Sequence, residues 1–231
     1  TNINPLLKEI QPADKQDVND ADGIQTLEQI TPHRIVFIDG VWSEQHSHIG
    51  GLAGITVKPL LTALDEQEAL WDYFNTIAVS SDEAFTALNT ALSESGLYIE
   101  VAKGKAIEQP LAIIHVYTDK AGDKVLQNRN LIMAGANSEA SVIESHQHLN
   151  GSTALQNQVN EFFLAENAQL NHYQLQLDEG EYNHVGAQFS RCEKHARLFH
   201  YTFNFGGRMV RNNFNSILSQ SESARDRKSV V

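Results

Sequence analysis

The chain has 231 residues, 41% of them hydrophobic and 20% charged, with a formal net charge of −12. That is apolar material for one large or two small globular domains, while the shortage of Lys and Arg excludes a phosphate-neutralising, nucleic-acid-binding role. A single cysteine, Cys192, excludes an internal disulfide framework and any multi-cysteine cluster or zinc site built by this chain alone.

In chain order, residues 1–30 are polar and acidic, with Asp14, Asp17, Asp20 and Asp22 closely spaced, and read as a linker or partial helical region. Residues 31–96 read as a small α/β region. Its Ile35-Val36-Phe37-Ile38 run meets Val41-Trp42 across Asp39-Gly40, the two-residue turn of a hairpin. Leu60, Leu61, Leu64, Leu70 and Phe74, then Phe85, Leu88, Ala91 and Leu92, fall at helical spacing and predict two amphipathic helices. Ser81-Asp82-Glu83 starts the second and Gly96 stops it. The charges Asp65, Glu66, Glu68 and Asp72 form a solvated helix face.

From residue 97 to 225 short β-prone runs recur at 97–101, 111–117, 131–133, 142–143 and 159–164, the core of the fold. Ala168-Gln169-Leu170-Asn171-His172-Tyr173 and Ala196-Arg197-Leu198-Phe199-His200-Tyr201 share A-x-L-x-H-Y, and Ser138 to Ile143 is a weaker upstream copy. Such a period, with two strands per unit, is what a β-solenoid requires, each coil burying its inner face by stacking on the next. After His172 and His200 the apolar set shifts phase by one residue, which predicts a stacked corner at His-Tyr in both coils. Residues 226–231 read as the translation of a sequencing adaptor, outside the fold. No apolar run is long enough to span a bilayer and no charged-then-apolar leader opens the chain, so the expectation is a cytoplasmic protein without a membrane partner.

Several groups invite a metal reading. His172 and His200 occupy one repeat position and could stack as an imidazole pair, but two nitrogens without further donors make a poor site, and corner histidines bonded to neighbouring backbone explain them better. Cys192 and His195 share a turn, where a lone cysteine is a small buried hydrophobe. Glu44, His46 and His48 lie on a surface loop, and His146 and His148 share one exposed strand face. No catalytic, cofactor or metal residue is assigned. Gly206-Gly207-Arg208 is too short for a phosphate loop, and neither a G-x-S-x-G elbow nor a helical H-E-x-x-H is present.

Five segments carry a resemblance: RIVFIDGVW (34–42), FTALNTALSESGLYIEVAKGKAIEQPLAIIHV (85–116), RNLIMAGANSEASVIE (129–144), ENAQLNHYQLQ (166–176) and FNFGGRMVRNNF (203–214). In this order they resemble the SufB/SufD family of iron–sulfur cluster assembly scaffolds. The resemblance implies a right-handed parallel β-helix flanked by helices, here cut short at both ends. It also implies a non-catalytic scaffold that pairs with SufB through the β-helix and is bound by the ATPase SufC. The cofactors it implies, an iron–sulfur cluster with a flavin as a further candidate, belong to the complex and not to this fragment alone. The family's functional cysteine and histidine fall downstream of the matched segments, so that role is not carried onto Cys192. Two alternatives stand beside it: a SufB-type paralogue carrying the nascent cluster, and a polysaccharide-acting β-helix enzyme. The latter would need an acidic ladder along one face, and residues 129–220 show none.

Overall fold

A computed structural model describes residues 30–78, 83–122, 124–149, 154–176, 182–219 and 224–230. The acidic 1–29 segment and Ser81-Asp82 of the expected helix start lie outside the described residues. The hairpin forms as expected: β1 (Arg34–Ile38) and β2 (Val41–His48) pair antiparallel with Ile38 opposite Val41. Asp39 (φ 48°) and Gly40 (φ 83°) both take the left-handed conformation that a tight two-residue turn demands. β3 (Ile55–Pro59) leads into α1 (Leu60–Glu66), a 3₁₀ turn (Glu68–Asp72) and α2 (Ala84–Leu92).

Gly96 plays a different part from the predicted helix stop. The helix already ends at Leu92, with Ser93 extended. Gly96 (φ 146°) instead lets two backbones touch, since a Cβ there would stand 1.6 Å from the Arg129 carbonyl oxygen.

From Leu97 onward the strands are β4 (Leu97–Val101), β5 (Leu111–Tyr117), β6 (Val125–Ala134), β7 (Glu139–His148), β8 (Leu155–Leu164), β9 (Gln169–Gln176), β10 (Asn183–Cys192), β11 (Arg197–Asn204), β12 (Met209–Leu218) and β13 (Ala224–Val230). Successive strands alternate between two sheets, ordered β13-β11-β9-β7-β5-β1-β2 and β12-β10-β8-β6-β4-β3. Beyond β4 each strand pairs in parallel with the strand two places on, so the chain winds as a β-solenoid of about four turns. The sequence repeat maps onto this winding: Leu170 pairs with Leu198, His172 with His200 and Tyr173 with Tyr201, while the upstream copy sets Ala140 against Leu170.

The corner predicted at His-Tyr is absent. β9 runs straight through it, with Leu170, His172, Gln174 and Gln176 buried and the residues between them half-buried. The corners lie five residues earlier, where Asn137, Asn167 and His195 take left-handed φ of 58°, 59° and 59° in equivalent turns. The apolar phase shift has another cause. The inner face changes from apolar to polar at the histidine, and the aromatic residues that follow sit on the outer face.

Next to the corners the interior is apolar, built by Ile132, Ala134, Ala140, Val142, Phe162, Leu164, Leu170, Cys192 and Leu198. A second apolar cluster forms on the outer face of the six-stranded sheet, where Leu60, Ala63, Leu64 and Leu70 pack on Leu131, Val159, Phe163 and Phe189. Within that layer Arg129 and Glu161, both fully buried, pair at 2.6 Å. Arg129 also donates to Thr90 Oγ1 and Asn75 Oδ1, and its guanidinium sits 5.1 Å from the Phe74 ring centroid.

β13 runs through the segment set aside as an adaptor translation, its backbone in parallel register with β11. Backbone pairing on an open edge is indifferent to side chains, so it reports on the edge and not on the origin of the residues. Among the described residues no helix is long and apolar enough to cross a membrane.

Candidate functional site

Away from the corners the solenoid interior is polar. On β7 the inward residues are Val142, Glu144, His146 and His148, because strand side chains alternate and Ala140 and Val142 already face the core. β5 contributes His115 opposite His146, and β9 contributes His172 opposite Val142, one diagonal step from Glu144. The facing sheet contributes Asn130, Gln158 and Asn160.

Glu144 sits at the centre and is fully buried. Its Oε1 accepts from His115 Nε2 (3.0 Å), Asn130 Nδ2 (3.3 Å) and Gln158 Nε2; its Oε2 accepts from Asn160 Nδ2 (3.1 Å) and His172 Nε2 (3.1 Å). Five donors converging on two oxygens stabilise the ionised form. Burial pushes the carboxyl up, but hydrogen bonds from His115 and His172, together with their charge, outweigh it and hold Glu144 well below the usual carboxylate range.

The hydrogen bonds continue along a chain of groups. His172 Nδ1 meets His200 Nδ1 across 2.9 Å, and His200 Nε2 meets the Thr202 hydroxyl at 3.1 Å. A second string runs from His146 through Gln156 and His184 to Gln174. Burial, then repulsion from His115 and His184, holds His146 well below the ordinary histidine value, and burial pushes His184 down to about 3.

The residues singled out from the sequence meet different outcomes. His172 and His200 stack as expected, with ring centroids 4.8 Å apart, but their partners are Glu144 and Thr202 side chains and not neighbouring backbone. His146 and His148 share a face, and that face is the buried interior, which corrects the exposed reading. Cys192 is a fully buried core residue at the end of β10, while His195 occupies the adjoining turn. Glu44, His46 and His48 do not converge. His46 Nδ1 instead meets Ser43 Oγ at 2.8 Å, and Glu44 and His48 are exposed. Asp65, Glu66, Glu68 and Asp72 are exposed on the helical face as expected.

Sequence reading missed His115 and Glu144. The signal was present: counting in twos from Ala140 and Val142 puts Glu144 and His146 inside. Among the described residues, His115, Glu144 and His146 are the group of His, Cys, Asp or Glu side chains that comes within reach of one ion.

Comparison with known proteins agrees with this architecture. The model of the SUF system FeS cluster assembly SufBD core domain matches residues 116–231, and that of the SufBD protein N-terminal region matches residues 11–113. An iron–sulfur cluster assembly SufBD family protein of Synechocystis sp. is 24% identical over 201 residues, 83% of this chain and 44% of the relative. The iron–sulfur cluster assembly protein SufD of Escherichia coli is 26% identical over 192 residues, 82% of this chain and 43% of its own length. SufD of Bacillus subtilis is 30% identical over 118 residues, half of this chain and 26% of the relative. The chain thus spans less than half the length of the curated relatives it matches. With both family models matched in order and a solenoid whose coils follow the sequence repeat, the chain belongs to the SufBD family of iron–sulfur cluster assembly proteins.

Proposed function

We propose that the protein is a SufD-type scaffold subunit of a cytoplasmic cluster-assembly complex, non-catalytic by itself, pairing with SufB through the solenoid and bound by the ATPase SufC. The observation that carries this reading is that both SufBD family models match in order along a chain that folds as a parallel β-solenoid. Family membership supports it, as do the relatives named SufD. The cluster itself, and a flavin if the complex uses one, would be held by the assembled subunits, because the single cysteine here lies buried in the apolar core.

Affinity-tagged full-length protein co-expressed with SufB and SufC tests the reading. The three are expected to co-elute in one peak of defined stoichiometry, with ATP hydrolysis that depends on SufC. Recovery of the tagged protein without SufB, while SufB and SufC still associate, would overturn the scaffold role.

A further inference from the structure

One ligand atom from each of His115, Glu144 and His146 lies within 4.8 Å of the other two, and all three residues are buried inside the solenoid. Two imidazoles and a carboxylate form a mixed nitrogen–oxygen donor set, suited to divalent first-row transition ions and not to Ca²⁺ or Mg²⁺, which take oxygen ligands. Metal–ligand bonds of about 2.0–2.2 Å place neighbouring donors roughly 2.9–3.3 Å apart. His115 Nε2 and Glu144 Oε1 already stand at 3.0 Å.

His146 supplies an independent observation. Its Nδ1 is engaged, 2.9 Å from the Gln156 amide nitrogen and 3.3 Å from the Tyr117 hydroxyl, whereas its Nε2 is buried without a partner. A buried nitrogen left without a partner is costly unless something fills its place. With Gln156 donating to Nδ1, the proton of a neutral ring sits on Nε2. Turning over the side-chain amides of Gln156 and Gln174 keeps every heavy-atom position and reverses the string: His146 Nδ1–H then donates to Gln156, Gln156 to His184 Nδ1, and His184 Nε2–H to Gln174. In that arrangement His146 Nε2 carries a bare lone pair. In the reversed arrangement the Gln156–His184–Gln174 string holds His146 in the ligating tautomer. Gln158 adds a further donor nearby. Its amide nitrogen touches Glu144, and its oxygen is buried without a partner.

We propose that His115, Glu144 and His146 form a binding site for one divalent first-row transition-metal ion inside the solenoid. The ion binds His115 Nε2 in place of the proton that Nε2 directs at Glu144; that proton moves to Nδ1 of the same ring, which stays neutral, with no change of oxidation state. The site needs no partner subunit, so it stands or falls separately from the scaffold role.

The full chain, stripped with chelator and also refolded from urea in the presence of metal so that a closed interior does not block entry, is titrated with Co²⁺. One equivalent is expected, with visible d–d bands, and Zn²⁺ is expected to raise Tm by linkage. His146→Gln and Glu144→Gln should each weaken Co²⁺ binding at least about tenfold, whereas His48→Gln, on the exposed hairpin strand, should bind like wild type. Circular dichroism checks the fold of each variant. Because Glu144→Gln removes the hub of a buried network, wild-type uptake and the His146→Gln variant decide the outcome. Folded wild-type chain that takes up no Co²⁺ by either route overturns the proposal, as does a His146→Gln variant that binds as tightly as wild type.

Discussion

At the scale of single residues, His184, His146 and Glu144 are all displaced downward. His184 has a folded value of about 3 against roughly 6.5 for an unperturbed histidine, and His146 is displaced the same way. Between those values the unfolded state binds a proton that the folded state refuses, so stability is unaffected above about pH 6.5 and falls as the pH drops below it. Glu144 adds a second loss lower down. Its depressed folded value stabilises the protein above the unfolded carboxylate value near 4.3, and that contribution disappears as the pH falls through the folded value. By pH 5 His184 alone should cost about 2 kcal/mol, on the order of 4–8 °C in Tm. Thermal melts between pH 7.5 and pH 5 check this, with His184→Gln expected to give a shallower slope. A Tm that holds or rises on acidification would show that the interior histidines are already charged in the fold.

At the scale of elements, a buried charge pair on two solenoid strands hydrogen-bonds to the helical layer, so that layer is not held by apolar contact alone. Arg129 on β6 and Glu161 on β8 are both fully buried, and Glu161 also accepts from the backbone N–H groups of Asn75 and Ala78 at 3.0 and 3.4 Å. Arg129→Met leaves the carboxylate without its cation and should destabilise by about 3–5 kcal/mol. Arg129→Met combined with Glu161→Leu should cost clearly less than the sum of the single changes, because the second removes the charge stranded by the first. Urea unfolding of the four proteins in the cycle measures this; strict additivity would mean that the two side chains do not act as a pair. Neither residue stood out in the sequence, where an Arg and a Glu 32 positions apart carry no periodic signal. What was legible was local or repetitive. Asp39-Gly40 announced its turn, the apolar spacing announced both helices, and A-x-L-x-H-Y announced the stacking of coils. The corner was misplaced because apolar alternation was followed as though the interior were apolar throughout. A core that becomes Glu, His, Asn and Gln halfway along each strand inverts that cue, and only the ladder shows His172 lying over His200 instead of turning a bend.

For the whole molecule, stacking order sets which strands have one neighbour among the described residues. β10 is paired on both sides, ten residues against β8 and ten against β12. β12 is the edge of its sheet among the described residues, and its burial falls accordingly from the fully buried pattern of β8 to exposed Ile217 and Leu218, at 45% and 50%. A ten-residue edge that is unpaired, parallel-sided and partly apolar is a template for another strand, whether from a partner subunit or from a second copy. The isolated chain should therefore self-associate as its concentration rises. Light scattering coupled to size-exclusion chromatography should show a mass above that of the monomer, and Ile217→Lys should move the equilibrium back by adding a charge that an incoming strand would have to bury. A chain that stays monomeric at every concentration would mean that this edge is closed in solution. An Ile217→Lys chain that associates as strongly as wild type would move the contact to another face, leaving the outward aromatic ladder of Tyr173 and Tyr201, stacked at 5.0 Å, as the surface to mutate next.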